Sequence, residues 1–417
     1  MTLQLDGTTD ADSDNRRGAM VDFLVADHAS KGLSMRPEVE RALRTVPRHV
    51  FTPGVGLEEA YRADTAVVTK RSGAETVSSV SAPSLIAEML GQAADALHGG
   101  LPGRHVLEIG SGGYNASLLR ELVGPTGSVT TVDIDPDVTD RATACLATAG
   151  YTDITVVCAD AEHPIVPNRR YDLIIVTVGA WDIPPAWAAQ LTDDGVLVVP
   201  LRTFGMTRSW ALRRAGERLV SHSQLLCGFV SMQGTGAHQV RYVDVADGVH
   251  LRLDEGEQVD AEVVGCLLTR PRQQAWAEVS LPARTVLADL DLWLAARLAS
   301  EVKQFVVLSA QQEAVDTGVV APAWRFGTPA VLHNGTFSYR SALNWTGDRF
   351  DVGAIAHGPR AAAEADRMVD HMRAWVDAGL PSPVLHVLPS GTPDGNLPTG
   401  TVVDKRHSRV VLTFTPA

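Results

Sequence analysis

Three carboxylates lie at the ends of three successive hydrophobic segments of this sequence. Glu108 is in VLEIG, Asp133 is in SVTTVDI and Asp160 is in ITVVCAD. If these segments are parallel strands, their carboxyl ends meet at one edge of a sheet, where open α/β sheets bind their ligands. There Asp133 can accept both hydroxyls of a ribose, and Asp160 with Ala161 would border an adenine. The set predicts a bound nucleoside, although each aspartate alone fits a helix cap equally well.

A glycine-rich turn, GSGGY, follows the first of these segments and opens into a helix. Its glycines let the backbone approach a ligand closely, and Asp133 comes 133 − 113 = 20 residues after Gly113. A dinucleotide site requires GxGxxG, which places a pyrophosphate at the helix N-terminus. Here the turn is shorter, and the carboxylate of Glu108 within it repels pyrophosphate but can accept the cationic amino group of S-adenosylmethionine. The turn therefore favours S-adenosylmethionine over a nicotinamide cofactor.

The elements that position these residues follow from hydrophobic periodicity. After LHGGLPGR, strands alternate with helices, which predicts a doubly wound α/β sheet of parallel strands. Upstream, a helical face with Val39 and Leu43 ends at Pro47, and another helix begins near Pro83. We expect three regions, namely a flexible tail over residues 1–16, a Rossmann-like methyltransferase domain over residues 17–240 and a C-terminal α+β domain over residues 241–417.

Composition restricts the class of protein. The 417 residues are 45% hydrophobic and 20% charged, with a net charge of −13 and no basic cluster, which disfavours nucleic acid as a partner. Neither a membrane-spanning run nor a signal peptide is recognisable. The four cysteines form no CxxC pair, and the histidines show no metal-ligand spacing. These features predict a cytoplasmic globular protein with no metal, membrane or nucleic acid partner, and they leave its oligomeric state open.

Several motifs over residues 36–238 resemble those of the protein-L-isoaspartate O-methyltransferases. They are ALRTVPRHVFTP, AYRAD, SVSAP, VLEIGSGGY and YDLIIVTVGAWDIPPAWAAQLTDDGVLVVPL. In that family a T-I-S-[QA]-P segment carries a hydroxyl that contacts cofactor and substrate, and residues 79–83 match it here. The resemblance thus implies that Ser81 is the catalytic serine. The shorter glycine turn, Ile86 and Gln233 depart from the family pattern, so the methionine end of the cofactor pocket is expected to differ.

The motifs and the strand ends together predict one site for S-adenosylmethionine. We assign to it Ser79, Val80, Ser81, Glu108, Gly110, Ser111, Gly112, Gly113, Asp133, Ile134, Asp160, Ala161 and Gly179. Methyl transfer to a carboxylate needs no base, because an Asp carboxyl with a pKa of about 3.9 is ionised at neutral pH. Ser81 then only orients the carboxylate. The methyl ester would cyclise to a succinimide, which water opens to Asp or isoAsp.

The sequence after residue 240 is longer than a repair enzyme of this family requires. With GFVSMQGTGAH, ALNWTGDRFDVGAIAHGP and VVDKRHSRVVL, the long form resembles methyltransferases of ribosomally made modified peptides, including the FxLD, lanthipeptide and graspetide systems. This resemblance implies that the substrate is an Asp or isoAsp of a modified precursor peptide, selected by the C-terminal domain. Apolar contacts with the peptide would come from Trp324, Phe326, Tyr339 and Trp345.

Other functions stay open at this point. One alternative is a general isoaspartate repair methyltransferase, in which the C-terminal region serves dimerisation or stability. The others are a nicotinamide oxidoreductase, which the short glycine turn disfavours, and a non-catalytic peptide-binding protein on the same fold, which the SVSAP match disfavours.

Overall fold

The computed structural model describes residues 7–110, 112–254, 258–302 and 304–415. The α-helices in these ranges are α1 (Gly7–Ser30), α2 (Pro37–Thr45), α3 (Leu57–Ala60), α4 (Pro83–Ala96), α5 (Tyr114–Val123), α6 (Pro136–Thr148), α7 (Pro185–Gln190), α8 (Ala261–Leu268), α9 (Leu287–Glu301), α10 (Gln312–Asp316) and α11 (Ala361–Asp377).

The strands in the same ranges are β1 (Val67–Ser72), β2 (Glu75–Val80), β3 (His105–Ile109), β4 (Ser128–Asp133), β5 (Thr155–Cys158), β6 (Tyr171–Val176), β7 (Leu191–Thr203), β8 (Met206–Ala215), β9 (Arg218–Leu226), β10 (Arg241–Ala246), β11 (Val249–Leu253), β12 (Arg272–Trp276), β13 (Leu281–Pro282), β14 (Phe305–Ala310), β15 (Thr328–His333), β16 (Thr336–Arg340), β17 (Asn344–Thr346), β18 (Arg349–Asp351), β19 (Gly353–His357), β20 (Ser382–Pro389), β21 (Thr401–Asp404) and β22 (Ser408–Thr415).

The largest sheet has the order β21-β22-β20-β9-β8-β7-β6-β3-β4-β5. Strands β5, β4, β3, β6 and β7 are parallel, as the alternation of strands and helices predicts. From β7 onward the neighbours are antiparallel, so the complete sheet is mixed. Central parallel strands are buried on both faces, and in β6 Leu173, Ile174 and Val176 are fully buried. The Rossmann-like α/β fold is confirmed for this part of the chain.

A second sheet, with the order β10-β11-β14-β15-β16-β19-β12, holds most of the strands that follow residue 240. Helix α9 joins the two sheets, because it contacts β14 and β15 of the second sheet and β20 and β21 of the first. The hydrophobic core is correspondingly continuous. It includes Leu107 and Val199 of the first sheet together with Val307 and Val331 of the second.

The end of the chain lies in the first sheet, whereas the sequence predicted that residues 241–417 form a separate C-terminal domain. Strand β20 pairs with β9, with His386 opposite Val220, and β22 and β21 extend the same sheet beyond it. This pairing covers the edge of β9, which would otherwise present unpaired N–H and C=O groups. The region between β9 and β20 is therefore an insertion into one sheet, with both of its ends attached to neighbouring strands.

The start of the chain also differs from the prediction of a flexible tail over residues 1–16, because α1 begins at Gly7. Asp12 pairs with Arg16 at 3.1 Å, a spacing that stabilises a helix. Further along α1, Leu24 is fully buried in a cluster that also contains residues of α2. The acidic composition of this segment therefore led to a wrong prediction of a flexible tail. Ion pairs within the helix and packing against α2 both stabilise it.

Two buried ion pairs fix α9 between the sheets. Arg208 of β8 donates to Asp289 at 2.9 Å, and Arg340 of β16 donates to the two oxygens of Asp291 at 2.6 and 2.9 Å. Ser382, the first residue of β20, also donates to Asp289 at 2.9 Å. The two carboxylates of α9 thus connect elements of both sheets. None of the helices in the described ranges combines the length and apolar character that a membrane span requires.

Candidate active site

Two adjoining pockets open at the carboxyl ends of β3, β4, β5 and β6. Pocket A is lined by Val77, Ile109, Gly110, Val132, Asp133, Ile134, Asp135, Ala159, Asp160, Ala161, Val178, Ser231, Met232 and Gln233. Pocket B is lined by Ser79, Val80, Ser81, Ile86, Met89, Glu108, Gly110, Gly112, Tyr114, Asn115, Ile175, Thr177 and Phe229. Gly110 lines both, so the two pockets meet at the end of β3.

The carboxylates expected at the second and third strand ends both line pocket A. Asp133 is the last residue of β4, and its Oδ1 accepts the N–H of Asp135 at 3.0 Å. Asp160 accepts the N–H of Glu162 at 3.0 Å on Oδ1 and that of Thr235 at 2.9 Å on Oδ2. Burial opposes the ionisation of Asp160, but these N–H groups outweigh it and lower its pKa. Asp160 is therefore an anion with a fixed orientation.

The other walls of pocket A are largely apolar. Ile134 and Ala161, both assigned from the sequence, line it together with Val178 and Met232. A nucleoside requires an apolar slot for its base and an acceptor for its ribose hydroxyls, and pocket A offers the Asp133 carboxylate beside these side chains. The residues present therefore fit the adenosine part of S-adenosylmethionine.

Gly110 is required where the pockets meet, because the backbone there has a φ of +99°. A Cβ at this position would lie 2.7 Å from Oγ1 of Thr177. That hydroxyl donates to the carbonyl of Gly110 at 2.6 Å, so the glycine turn is held against the residue that follows β6. The close approach explains one glycine of the turn without reference to a ligand, while Gly112 lies in the lining of pocket B.

Glu108 is buried within β3, whereas the sequence analysis placed it in the glycine turn. It is 0% exposed, and its oxygens accept hydrogen bonds from Nδ2 of Asn115 and from the hydroxyl of Thr131. Burial raises the pKa of Glu108 to about 7, although the two hydrogen bonds act in the opposite direction. The carboxyl group lines pocket B and also links β3 to β4 and α5.

The hairpin of β1 and β2 brings the SVSAP segment to pocket B. Val80 ends β2 opposite Val67, and Ser81 follows directly. The N-cap of α4 is Ala82, so Ser81 does not cap the helix. Ser79, Val80 and Ser81 all line pocket B. These residues were assigned to the site from the SVSAP motif, but the sequence did not predict the hairpin that carries them.

A buried arginine connects this hairpin to two other motifs. The fully buried Arg48 donates from Nε to the carbonyl of Ala60 at 2.7 Å and from Nη2 to that of Val80 at 3.3 Å. Its guanidinium carbon lies 4.9 Å from the ring centroid of Tyr114, a residue of pocket B. The motifs ALRTVPRHVFTP, AYRAD and SVSAP, which are separate in sequence, therefore meet through one side chain.

Gly113 was assigned to the cofactor but is absent from the lining of pockets A and B. It is the N-cap of α5 with a φ of +81°, and a Cβ there would lie 3.0 Å from Cδ1 of Phe51. The structure therefore explains this glycine by packing. Ser111, also assigned to the cofactor, lies outside the described residues.

Ser231, Met232 and Gln233 complete pocket A from beyond β9. Of these only Gln233 was expected at the cofactor pocket, and it was expected at the methionine end, whereas it lines the pocket that fits adenosine. Gly179, which was assigned, donates its N–H to Val230 at 2.7 Å and accepts the N–H of Met232 at 2.9 Å. Gly179 thus positions the segment and is not itself part of the lining. The sequence motif that could have indicated this segment is GFVSMQGTGAH, which contains all of these residues except Gly179.

The aromatic residues expected to contact a peptide are not equivalent in the structure. Trp324, Phe326 and Trp345 are 48%, 54% and 54% exposed. Tyr339 is fully buried, and its hydroxyl accepts the N–H of Ala321 at 3.2 Å. The prediction is wrong for Tyr339, because it lies on β16 in the interior of the second sheet.

Comparisons with known proteins cover the part of the chain that holds pockets A and B. The family model for protein-L-isoaspartate(D-aspartate) O-methyltransferase matches residues 20–236. The protein-L-isoaspartate O-methyltransferase of Ignicoccus hospitalis is 36% identical over 179 residues, which are 43% of this chain and 80% of that protein. The one from Methanopyrus kandleri is 34% identical over 221 residues, 52% of this chain and 92% of that protein.

A solved structure of a protein-L-isoaspartate O-methyltransferase covers 89% of this chain and 96% of its own, with 20% identity and a TM-score of 0.48. The range matched by the family model contains every residue that lines pockets A and B. It ends before β10, so the resemblance of the long form to methyltransferases of modified peptides stays a prediction.

Proposed function

The chain belongs to the protein-L-isoaspartate(D-aspartate) O-methyltransferase family, and we propose that it methylates the free carboxylate of isoaspartyl residues in peptides and proteins. The methyl donor is S-adenosylmethionine. Relatives that match more than three quarters of their own length to this chain carry the name of this activity.

The observation that carries the proposal is the meeting of pockets A and B at Gly110. Pocket A has the acceptor and the apolar walls that adenosine needs. Pocket B adjoins it and contains Ser81, so it is the space for the methionine part of the donor and for the substrate carboxylate. Asp133 would hold the ribose hydroxyls, and the carboxyl group of Glu108, ionised in part at neutral pH because its pKa is about 7, would accept the amino group of the donor.

The residues of pocket B have to orient and desolvate a carboxylate, not to activate it. The free carboxyl of an isoaspartyl residue is an α-carboxyl, and its ordinary pKa of about 3.3–3.7 leaves it ionised at neutral pH. When bound, S-adenosylmethionine supplies an electrophilic methyl group. The hydroxyl of Ser81 donates to one oxygen of the carboxylate and leaves the other oriented for attack. Alignment of two reactants in this way can supply as much as roughly 7–11 kcal/mol.

Pocket B also excludes water by its apolar walls. Ile86, Met89, Ile175 and Phe229 are part of its lining. Removing water from around an anion makes it a stronger nucleophile, since its hydrogen bonds to solvent are lost. The departure of Ile86 from the family pattern therefore places an apolar side chain where the carboxylate must be desolvated.

The methyl ester can cyclise to a succinimide without help from any residue of the protein. The nitrogen of the next peptide bond attacks the ester carbonyl, methanol leaves with the N–H proton, and a five-membered succinimide forms. Water then opens the ring at either carbonyl and gives Asp or isoAsp. Because isoAsp can re-enter the cycle, repeated methylation converts it to Asp, which is a repair reaction.

A second function is methylation of an Asp or isoAsp in a ribosomally made modified peptide. The observation that favours it is the extent of ordered structure outside the family match, which ends at residue 236. The exposed aromatic residues Trp324, Phe326 and Trp345 belong to this region. We place this function second, because the relatives are named for the general activity.

Three peptides of related sequence distinguish the functions. The protein is incubated with labelled S-adenosylmethionine and an isoaspartyl peptide, its aspartyl isomer or a cyclised precursor peptide, and methyl esters are measured by mass spectrometry. The general function predicts esters on any isoaspartyl peptide. A rate at least tenfold higher on the cyclised precursor would instead support the second function. The absence of ester on all three peptides would contradict both.

Ser81→Ala tests the role of the hydroxyl. We expect kcat/KM for the isoaspartyl peptide to fall about tenfold to a hundredfold, because one hydrogen bond to a charged oxygen contributes about 1.5–3 kcal/mol. Ser84→Ala, in the first turn of α4, is the matched control and should keep the activity of the unaltered protein. Neither change should alter the melting temperature. Full activity in Ser81→Ala would remove this serine from the mechanism.

A further inference from the structure

The turn between β21 and β22 comes from the end of the chain yet contacts the loops around pocket A. Lys405 donates its N–H to the carbonyl of Ser408 at 2.8 Å, which closes the turn. Lys405, Arg406 and His407 all contact the methyltransferase region, at the loops that follow β5 and β6 and the segment that follows β9. This turn, residues 405–408, lies outside the family match, which ends at residue 236.

His407 contacts the loop that follows β5. Its Nε2 lies 2.6 Å from Oε1 of Glu162, and Glu162 is only 8% exposed. The N–H of Glu162 in turn donates to Oδ1 of Asp160. The backbone N–H of His407 also donates to Asp182 at 2.6 Å, in the loop that follows β6. One residue of the turn thus holds two loops at the ligand edge of the sheet.

Arg406 contacts the loop that completes pocket A. Its Nη1 donates to the carbonyl of Thr235 at 3.1 Å, and the N–H of Thr235 donates to Oδ2 of Asp160 at 2.9 Å. Both oxygens of Asp160 are therefore held by residues that the turn itself holds. The neighbouring backbone is equally tight, since a Cβ at Gly234 would lie 2.7 Å from Oδ2 of Asp160.

Lys405 joins the loop after β6 to strand β7. Its ammonium group donates to the carbonyls of Trp181 and Arg202 and lies 4.1 Å from the ring centroid of Trp181. That ring stacks on His238 with centroids 3.6 Å apart. The stacking of Trp181 on His238 thus joins the loop after β6 to the end of the segment after β9, and Lys405 of the turn contacts this pair through Trp181.

We propose that His407 and Arg406 are positioning residues for cofactor binding: from the end of the chain they fix Glu162 and Thr235, and through them the Asp160 carboxylate of pocket A. The turn contacts both partners of one pocket carboxylate, which a role in stabilising the edge of the sheet does not require.

The proposal is tested on the full-length protein with His407→Ala, His407→Gln and Arg406→Ala. Kd for S-adenosylhomocysteine is measured by calorimetry, and KM for S-adenosylmethionine and kcat are measured with an isoaspartyl peptide. We expect His407→Ala and Arg406→Ala to raise Kd and KM at least about fivefold, the lower end of typical coupling between sites, with kcat nearly unchanged. His407→Gln, which keeps a donor to Glu162, should restore most of the affinity.

The matched control is Arg409→Ala on the same hairpin, whose side chain pairs with the exposed carboxylates of Asp394 and Asp404. It should leave Kd and KM unchanged, while Asp133→Ala, within pocket A, gives the scale of a direct loss. Should His407→Ala fail to fold, Arg406→Ala decides alone, because that side chain is 60% exposed. Unchanged Kd in Arg406→Ala, or an equal rise in the control, would overturn the proposal. Calorimetry with S-adenosylhomocysteine needs no peptide, so this result is independent of the proposed substrate.

Discussion

Glu108 shows how one buried carboxyl group can make stability depend on pH. Its pKa is raised by burial from an ordinary 4.5 to about 7, so between these values the folded protein holds a proton that the unfolded chain has lost. A group with a raised pKa contributes stability that is fully present below the lower value and is lost as the pH rises through the higher one. This difference in pKa between the folded and unfolded states corresponds to about 3 kcal/mol of unfolding free energy.

We therefore expect the free energy of unfolding of the protein, relative to that of Glu108→Gln, to fall by about 3 kcal/mol between pH 4.5 and 8. The amide has a similar shape but does not titrate in this range. Urea titrations of both proteins at several pH values measure the difference. Parallel pH profiles for the two proteins would show that folding does not shift the pKa of Glu108.

At the residue scale, Asp133 and Asp160, assigned from their spacing, and Ser81, assigned from the SVSAP resemblance, all line pockets A and B. Their roles at the cofactor and substrate stay predictions. Spacing was not sufficient for the glycines, because Gly113 is explained by its contact with Phe51 from a distant segment. Periodicity reports which residues alternate along one element, and it contains no information on which other element approaches a given backbone atom.

At the scale of elements, the ion pair of Arg208 and Asp289 joins β8 to α9. Arg208 is 1% exposed and Asp289 4% exposed. We expect Asp289→Ala to lower the free energy of unfolding by about 3–5 kcal/mol, because it leaves a buried guanidinium without its carboxylate. The control is Asp193→Ala, whose partner Arg170 is at the surface, with an expected effect below about 1 kcal/mol. Denaturant titration compares them, and similar losses would contradict the assignment.

Local periodicity identified most of the elements that build the site. Helices α2 and α4 and strands β3 to β6 were predicted because each carries an apolar face or a hydrophobic run of its own. Helix α1 and the β1–β2 hairpin were not, since the first half of α1 and most residues of the hairpin are polar. Their burial comes from neighbours, such as Val67 opposite Val80, and no local pattern reveals such a partner.

At the scale of the whole molecule, the return of β20 and β22 to the first sheet makes the chain one cooperative unit. The continuous core and α9 connect the two sheets. We expect one unfolding transition, with coincident midpoints by far-UV circular dichroism and by tryptophan fluorescence. Two separated transitions would show instead that the insertion folds on its own.

The pairing of β9 with β20 also determines how long the edge of β9 stays unpaired during synthesis. His386 faces Val220 across 386 − 220 = 166 residues of chain. At roughly 5–20 residues per second the ribosome needs about 8–33 s to supply this partner. Throughout that time the edge of β9 can pair with another nascent chain. Slower translation lengthens the exposed interval, so we expect the yield of soluble protein to rise with chaperone supply and to fall when the rate of synthesis is reduced.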